Sequence, residues 1–298
     1  MRYISWRNVF RIGAVLFTLA ALLPAMDWPL DTQSAEGVVL ERNFGFNDGG
    51  RPLLGTVFRG QGTVEIAEDG ELLFVHRDDD TAGALPSPLG SWAAIDHGDE
   101  IISIYSRLED MGDTVINTRP WKKYPLASMG RSGWSDKSGV YFSLFDRKQR
   151  RWVNPSMIIS PFQDTLAPVI QSVRLKNADG VLVDPAVTRI ISQGRYTVIV
   201  RAYDTLKAAN ESPLAPHRLI CTVNGSEIGQ LRFETFSARD GALMVNRNGL
   251  VPAREAYATA GSYEIGELWF TRGQASLEII AQDVVGNTRN LLFRLAVD

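Results

Sequence analysis

Gly90-Ser91-Trp92-Ala93-Ala94-Ile95-Asp96-His97-Gly98 opens the series of short steps whose reading decides the fold. It continues with Ile104-Tyr105-Ser106-Arg107-Leu108, Gly112-Asp113, Gly130-Arg131-Ser132-Gly133 and Ser138-Gly139-Val140-Tyr141-Phe142-Ser143, and closes on Asn154-Pro155. The apolar runs are short, and Gly, Pro, Asp and Asn bound them, which is the punctuation of an all-β domain. Upstream, Gly37-Val38-Val39-Leu40, Thr63-Val64-Glu65-Ile66-Ala67 and Glu71-Leu72-Leu73-Phe74-Val75 have the same character. Asp78-Asp79-Asp80-Thr81-Ala82-Gly83 has no periodicity and reads as a solvated hairpin tip. It lacks the alternating ligand spacing and distal Glu of a calcium loop.

Taken in order, these steps resemble the lysostaphin/LytM family of zinc peptidoglycan endopeptidases. There they run G-N-x-V-x-I-x-H-G, Y-x-H-L, G-D, G-x-T-G-x-S-x-G-x-H-L-H-F and D-P. The stretch from Gly62 to Leu72 is similar to the family's G-T-x-V-x-A-x-x-D-G-x-V hairpin. The resemblance spans residues 40–160 and implies a LytM-like β domain, built as a duplicated hybrid motif.

It also implies a site, and that site has changed. A hydrolytic zinc centre needs three protein ligands and an open position for water. The family draws its ligands from an H-x(3)-D step and from the second His of H-x-H. Further histidines, in Y-x-H-L and first in H-x-H, assist the chemistry. Here the H-x(3)-D step falls on Leu53 to Val57, with Asp48 a few residues earlier as an alternative. The Y-x-H-L histidine is Arg107, and H-x-H reads Tyr141-Phe142-Ser143. The resemblance therefore implies a degenerate former site of Leu53, Val57, Arg107, Tyr141 and Ser143, with no metal, no cofactor and no catalytic residue.

A count independent of alignment agrees. The chain has three histidines, His76, His97 and His217, with no H-x-H, no H-E-x-x-H and one cysteine. His97 reads as a turn histidine at a strand end. Arg107 and Trp134 are the candidate binding residues: a guanidinium suited to an anionic group, and an aromatic in a Gly/Ser-rich loop. An ion pair between Arg107 and Glu109 or Asp110 is the simpler expectation for the arginine. Trp92, Tyr105 and Tyr141 lie on strand-like runs and read as core or groove lining.

The full chain has 298 residues and a net charge of −3, without a dense Lys/Arg block, so nucleic-acid binding has no electrostatic footprint. Arg2, Arg7 and Arg11 precede an apolar run from Ile12 to Met26 that ends at Asp27. That length suits a signal-peptide core better than a membrane span. Leu23-Pro24-Ala25 and Gln33-Ser34-Ala35 are candidate cleavage points, and an uncleaved anchor is the alternative. Residues 1–26 are thus expected to be a leader or anchor, and 27–35 a polar spacer. Export to the periplasm or cell envelope follows, with membrane contact only through the N-terminal segment.

Two prolines bracket a polar stretch from Pro161 to Pro168, which reads as a linker between residues 36–162 and a second unit at 165–298. The second unit repeats β-type runs, among them Tyr196 to Ala202, Leu219 to Val223 and Ser276 to Ala281, and suggests a β-sandwich. Asn224-Gly225 is a hairpin turn, and Cys221 within an apolar run reads as core. Asp164-Thr165-Leu166-Ala167-Pro168 and Ala281-Gln282-Asp283-Val284-Val285-Gly286-Asn287 resemble the opening and closing motifs of bacterial immunoglobulin-like modules. Calcium ligation by Asp204 and Asp283 is conceivable, but turn chemistry accounts for both.

The functional expectation is an exported, non-catalytic LytM-like protein that binds peptidoglycan or a cell-envelope protein, or regulates a murein hydrolase. The alternatives are a cell-wall hydrolase with an unrecognised site and a purely structural surface-binding module.

Overall fold

Alternation of apolar and polar residues along Gly139–Asp146 sets the centre of the first half. Val140, Phe142 and Leu144 are fully buried on one face, and Tyr141, Ser143 and Phe145 fall on the other, as a two-residue period requires. The computed structural model describes residues 26–30, 37–78, 87–98, 100–112, 115–206, 212–259 and 261–298. The leader, the cleavage point near Ala35, Asp113 and most of the acidic tip at 78–83 lie outside them. Among the described residues the fold is all-β apart from single short turns of helix at Pro155–Met157 and Ala253–Ala256. No described helix is long and apolar enough to cross a membrane.

Gly139–Asp146 pairs along one edge with Ile101–Glu109, which continues the sheet to Ser91–Asp96 and Glu71–His76. Its other edge is divided. Residues 139–142 pair with Thr56–Arg59, and residues 144–146 pair with Arg151–Val153. Two glycines of the opening series serve a close crossing. A Cβ on Gly90 would stand 2.3 Å from the backbone of Ser132, and one on Gly133 would stand 2.3 Å from Gly90 N. Both have positive φ, 67° and 72°, so the steps G-S-W and G-R-S-G are constrained by each other. Ser132 Oγ ties the crossing further, accepting from Ser91 N–H and donating to Leu108 C=O.

Residues 26–30, the end of the expected leader and the start of the expected spacer, pack against the first core. Met26, Trp28 and Leu30 are buried in the first core, and Trp28 stacks on Phe162 with ring centroids 4.9 Å apart. The backbone follows: Asp27 N–H donates to Ala67 C=O, and Glu65 N–H to Pro29 C=O. A run of Met, Trp and Leu beside Pro29 had signalled nothing periodic, yet burying each such side chain is worth about 1.5–3 kcal/mol.

The second half is a two-sheet sandwich. One sheet holds Leu182–Val183, Val169–Asn177, Gly194–Tyr203 and Ser262–Phe270 in that order. The other includes Thr288–Val297, Gly273–Gln282, Arg218–Val223 and Ser226–Arg239. Val173, Val198 and Val200 from the first meet Leu219, Phe233, Leu277 and Ile279 from the second in one buried cluster. Asn224 and Gly225 turn the hairpin with φ of 51° and 81°, and Cys221 is buried, its thiol pushed up to about 12 by desolvation.

The two cores are not separated cleanly in sequence. Phe44 lies in the second core, and Leu54 packs against it. Asn43 exchanges two hydrogen bonds with the Ala215 backbone, and buried Asn47 donates to Thr259 and Ser262 carbonyls. The sheet itself is continuous: Arg151, Trp152 and Val153 pair with Ser237, Phe236 and Thr235. Next to this seam Asn154 is 5 % exposed; its side-chain amide donates to Phe233 C=O at 2.9 Å while its Oδ1 accepts from Ser156 N–H at 3.1 Å.

The amide is therefore required where the resembling family carries D-P. Asn154→Asp places a carboxylate against a carbonyl with no proton between them. It is expected to lower the unfolding free energy at neutral pH by about 1–3 kcal/mol or more, read as a shift in urea midpoint. Asn154→Ala should cost less than Asn154→Asp; the reverse order would show that the donated bond does not matter.

Candidate functional site

The face of Gly139–Asp146 turned away from the first core carries Tyr141 and Ser143. Tyr141 stands opposite Val57 on one neighbouring strand and Ser106 on the other, so the three side chains share a face. Ser143 is two residues along on that face, opposite Ile104. Gly55 lets the Tyr141 ring approach: a Cβ there would be 2.8 Å from the ring and 2.4 Å from Phe142 C=O. Burial pushes the Tyr141 phenol up to about 12, against the pull of a hydrogen bond with Ser143 and the nearby Arg107 charge. The phenol is thus protonated across the neutral range.

Arg107 sits at a break in register, with φ of 66° and its N–H donating to Leu89 C=O at 2.9 Å. Its guanidinium is half-buried, which lowers its pKa, and it feels the carboxylates of Glu41 and Asp136 and the cation of Arg42. It forms no ion pair with Glu109 or Asp110, contrary to the simpler expectation; Glu109 instead accepts from Arg131 N–H at 2.7 Å. Trp134 is bonded to the neighbouring residue of that turn, its backbone N–H donating to Pro88 C=O, and it is 81 % exposed. Leu53 is held elsewhere, by backbone bonds to Gly45 and Phe46 within the segment that docks on the second core. Asp48 is exposed and paired with Arg42 at 2.9 Å.

The remaining aromatics divide. Tyr105 is fully buried, its oxygen accepting from Ala67 N–H, while Trp92 lies against Phe74 with centroids 4.6 Å apart. His97 ends its strand as a bridge, Nδ1 2.9 Å from Asp69 C=O and Nε2 2.7 Å from Ser103 Oγ. A carbonyl partner makes Nδ1 the donor, so Nε2 accepts from the serine.

One feature was not legible in sequence. Met111, Val115, Trp121, Tyr124 and Leu126 line a groove of about 560 Å³ on the first half, with Trp121 63 % exposed. The only signal was Trp121-Lys122-Lys123-Tyr124, an aromatic pair in a loop behind Pro120.

Among solved structures, a mutant of the catalytic domain of the prophage-encoded M23 protein EnpA from Enterococcus faecalis is similar to this chain. The identity is 18 %, over 41 % of this chain and 91 % of that one, with a TM-score of 0.34. A zinc-containing peptidase from Vibrio cholerae is 19 % identical over 44 % of this chain and 39 % of its own, with a TM-score of 0.36. A chain of the SpoIIQ–SpoIIIAH pore-forming complex is 13 % identical over 45 % of this chain and 90 % of its own, TM-score 0.36. A protein-family model matches residues 167–298. No curated protein matches the chain.

The half-buried His97 gives a pH prediction. Desolvation lowers His97 below 6.5, and outweighs the opposing pull of the Asp69 and Glu68 backbone and the Glu68 and Asp96 carboxylates. A depressed imidazole stabilises the fold fully above pH 6.5 and loses that contribution as pH falls through the lower folded value. His97→Gln is expected to flatten the decline in urea midpoint on acidification below neutrality, relative to wild type. An unchanged decline would remove His97 as its source.

Proposed function

We propose that residues 36–162 are a degenerate LytM-like domain and residues 165–298 an immunoglobulin-like module. In this reading the exported chain binds peptidoglycan, or a murein-hydrolase partner, in the cell envelope without cutting. The observation that carries it is the cluster around Tyr141. Val57, Tyr141 and Ser143 share one face with Arg107 at its edge, the positions at which the resemblance expects metal ligands and catalytic histidines. A valine offers no donor, a phenol held near 12 keeps its proton, and an arginine brings a fixed cation. Zinc requires imidazole, thiolate or carboxylate, so this donor set does not fit it.

Arg107 and Trp134 are the binding residues of the reading. Both hang from the Pro88–Leu89 turn, one presenting a guanidinium and the other an exposed indole. A guanidinium suits the carboxylates of a stem peptide or of an acidic partner through paired hydrogen bonds.

Purified protein is expected to co-sediment with isolated peptidoglycan, to hold no stoichiometric zinc in metal analysis, and to release no soluble fragments. Arg107→Ala and Trp134→Ala should each weaken co-sedimentation several-fold with little change in Tm. Phenanthroline-sensitive release of fragments, or one zinc per chain, would overturn the non-catalytic reading; full binding by both variants would overturn the site.

The proposed export carries its own test. A cut after Ala35 would remove Met26, Trp28 and Leu30 from the first core, whereas a cut after Ala25 or none would keep them. The mature protein is expected to begin at Met26 or earlier, by intact mass. A chain beginning at Glu36 that melts like the longer one would contradict the packing argument.

A further inference from the structure

Asp164, Asp204 and Asp283 come from three distant parts of the chain: the linker, the end of Gly194–Tyr203, and the turn after Gly273–Gln282. One carboxylate oxygen from each lies within 4.8 Å of the others. Oxygens on opposite sides of a cation bound at about 2.4 Å stand up to about 4.8 Å apart, so the spacing suits one shared hard ion. Two members already have structural tasks. Asp283 Oδ1 accepts from Gly286 and Asn287 N–H, its Oδ2 accepts from the Asn287 side chain, and Asp164 Oδ1 accepts from Leu166 N–H. These bonds are the turn chemistry expected of the sequence, and they aim the carboxylates while leaving lone pairs free.

Asp204 is different. It is 6 % exposed, its backbone is fixed by two bonds with Leu214, and its Oδ1 is buried without a hydrogen-bond partner. A buried carboxylate oxygen with no donor is costly, and its neighbours here are two more carboxylates rather than a base. Among the described residues no lysine, arginine or histidine forms an ion pair with any of the three. Burial first, and then the neighbouring Asp164 and Asp283, hold the Asp204 carboxyl up at about 7, while His217 faces Asp283.

We propose that Asp164, Asp204 and Asp283 bind a hard divalent cation, Ca²⁺ before Mg²⁺, that fastens the linker to the sandwich. All-oxygen ligands select such ions over zinc or copper, and the irregular, turn-borne geometry suits the looser coordination of Ca²⁺. Asp164 lies two residues beyond Phe162, which packs on Trp28 in the first core, so the ion would hold the strap between the two cores in place.

The test uses the full chain, stripped with EGTA and passed into chelated buffer. Adding Ca²⁺ at millimolar concentration is expected to raise Tm by about 5 °C or more, with a saturable one-site isotherm by calorimetry. D204N should fold, since an amide relieves the crowded charge, and should lose both responses. D164N, in the half-exposed linker, carries the same reading should D204N not fold. No heat and no Tm change in the wild type with Ca²⁺, Mg²⁺ or Mn²⁺ would overturn the site and leave a shared proton as the balance of charge. Undiminished Ca²⁺ binding by the variants would place the ion elsewhere and overturn it equally. The outcome is independent of whether Arg107 and Trp134 bind a cell-wall ligand.

Discussion

Three backbone pairs, Arg151 with Ser237, Trp152 with Phe236 and Val153 with Thr235, join two buried cores into one hydrogen-bonded sheet. Sheet edges with unpaired groups invite pairing, and here each half covers an edge of the other. The pairing forces Ser226–Arg239 to be long, 14 residues, because its first part serves the sandwich and its last part serves the seam. The same strand has a register break between Arg232 and Phe236 against Ala242–Arg247, the kind of irregularity that bends a strand. Asn154 then secures the seam from its end, and the Asn43–Leu54 segment secures it from the side.

That arrangement bears on the candidate site. The strand carrying Tyr141 and Ser143 is the same strand whose far end pairs toward the seam. The stretch Leu53 to Val57, on which the resemblance places the metal-binding step, runs between two cores: Leu54 packs against the second core, and Phe58, the residue after the stretch, is buried in the first. The segment before that stretch is held through Asn43, Asn47 and Gly45.

Much of the fold was legible because period-two alternation and turn chemistry are local. Gly139–Asp146 and the Asn224–Gly225 hairpin could be read residue by residue, and Cys221 announced itself as core by its apolar flanks. The resemblance led to the expectation that Leu53, Val57, Arg107, Tyr141 and Ser143 converge; Tyr141 stands opposite Val57, whereas Leu53 is bonded to Gly45 and Phe46. What stayed hidden depends on contacts remote in sequence. Nothing near Trp28 says that Phe162 will stack on it, and nothing near Asp164 says that Asp204 will face it. Phe44 was invisible for the same reason: it looks like any residue of the first half and is buried in the second.

The Trp28 strap has a temporal side. Its indole N–H donates to Ser160 C=O at 3.0 Å, across 132 residues of chain. A ribosome adding roughly 5–20 residues per second reaches Ser160 on the order of ten seconds after Trp28 has emerged. Through that interval the first core lacks its closing residues, and Trp28 has no native partner at Phe162. Completion of the early half is thus tied to a late arrival, and a long-range contact of this kind slows folding because loop closure comes before its reward. The early half of the nascent polypeptide is thus left unfinished by its own topology until the later residues arrive.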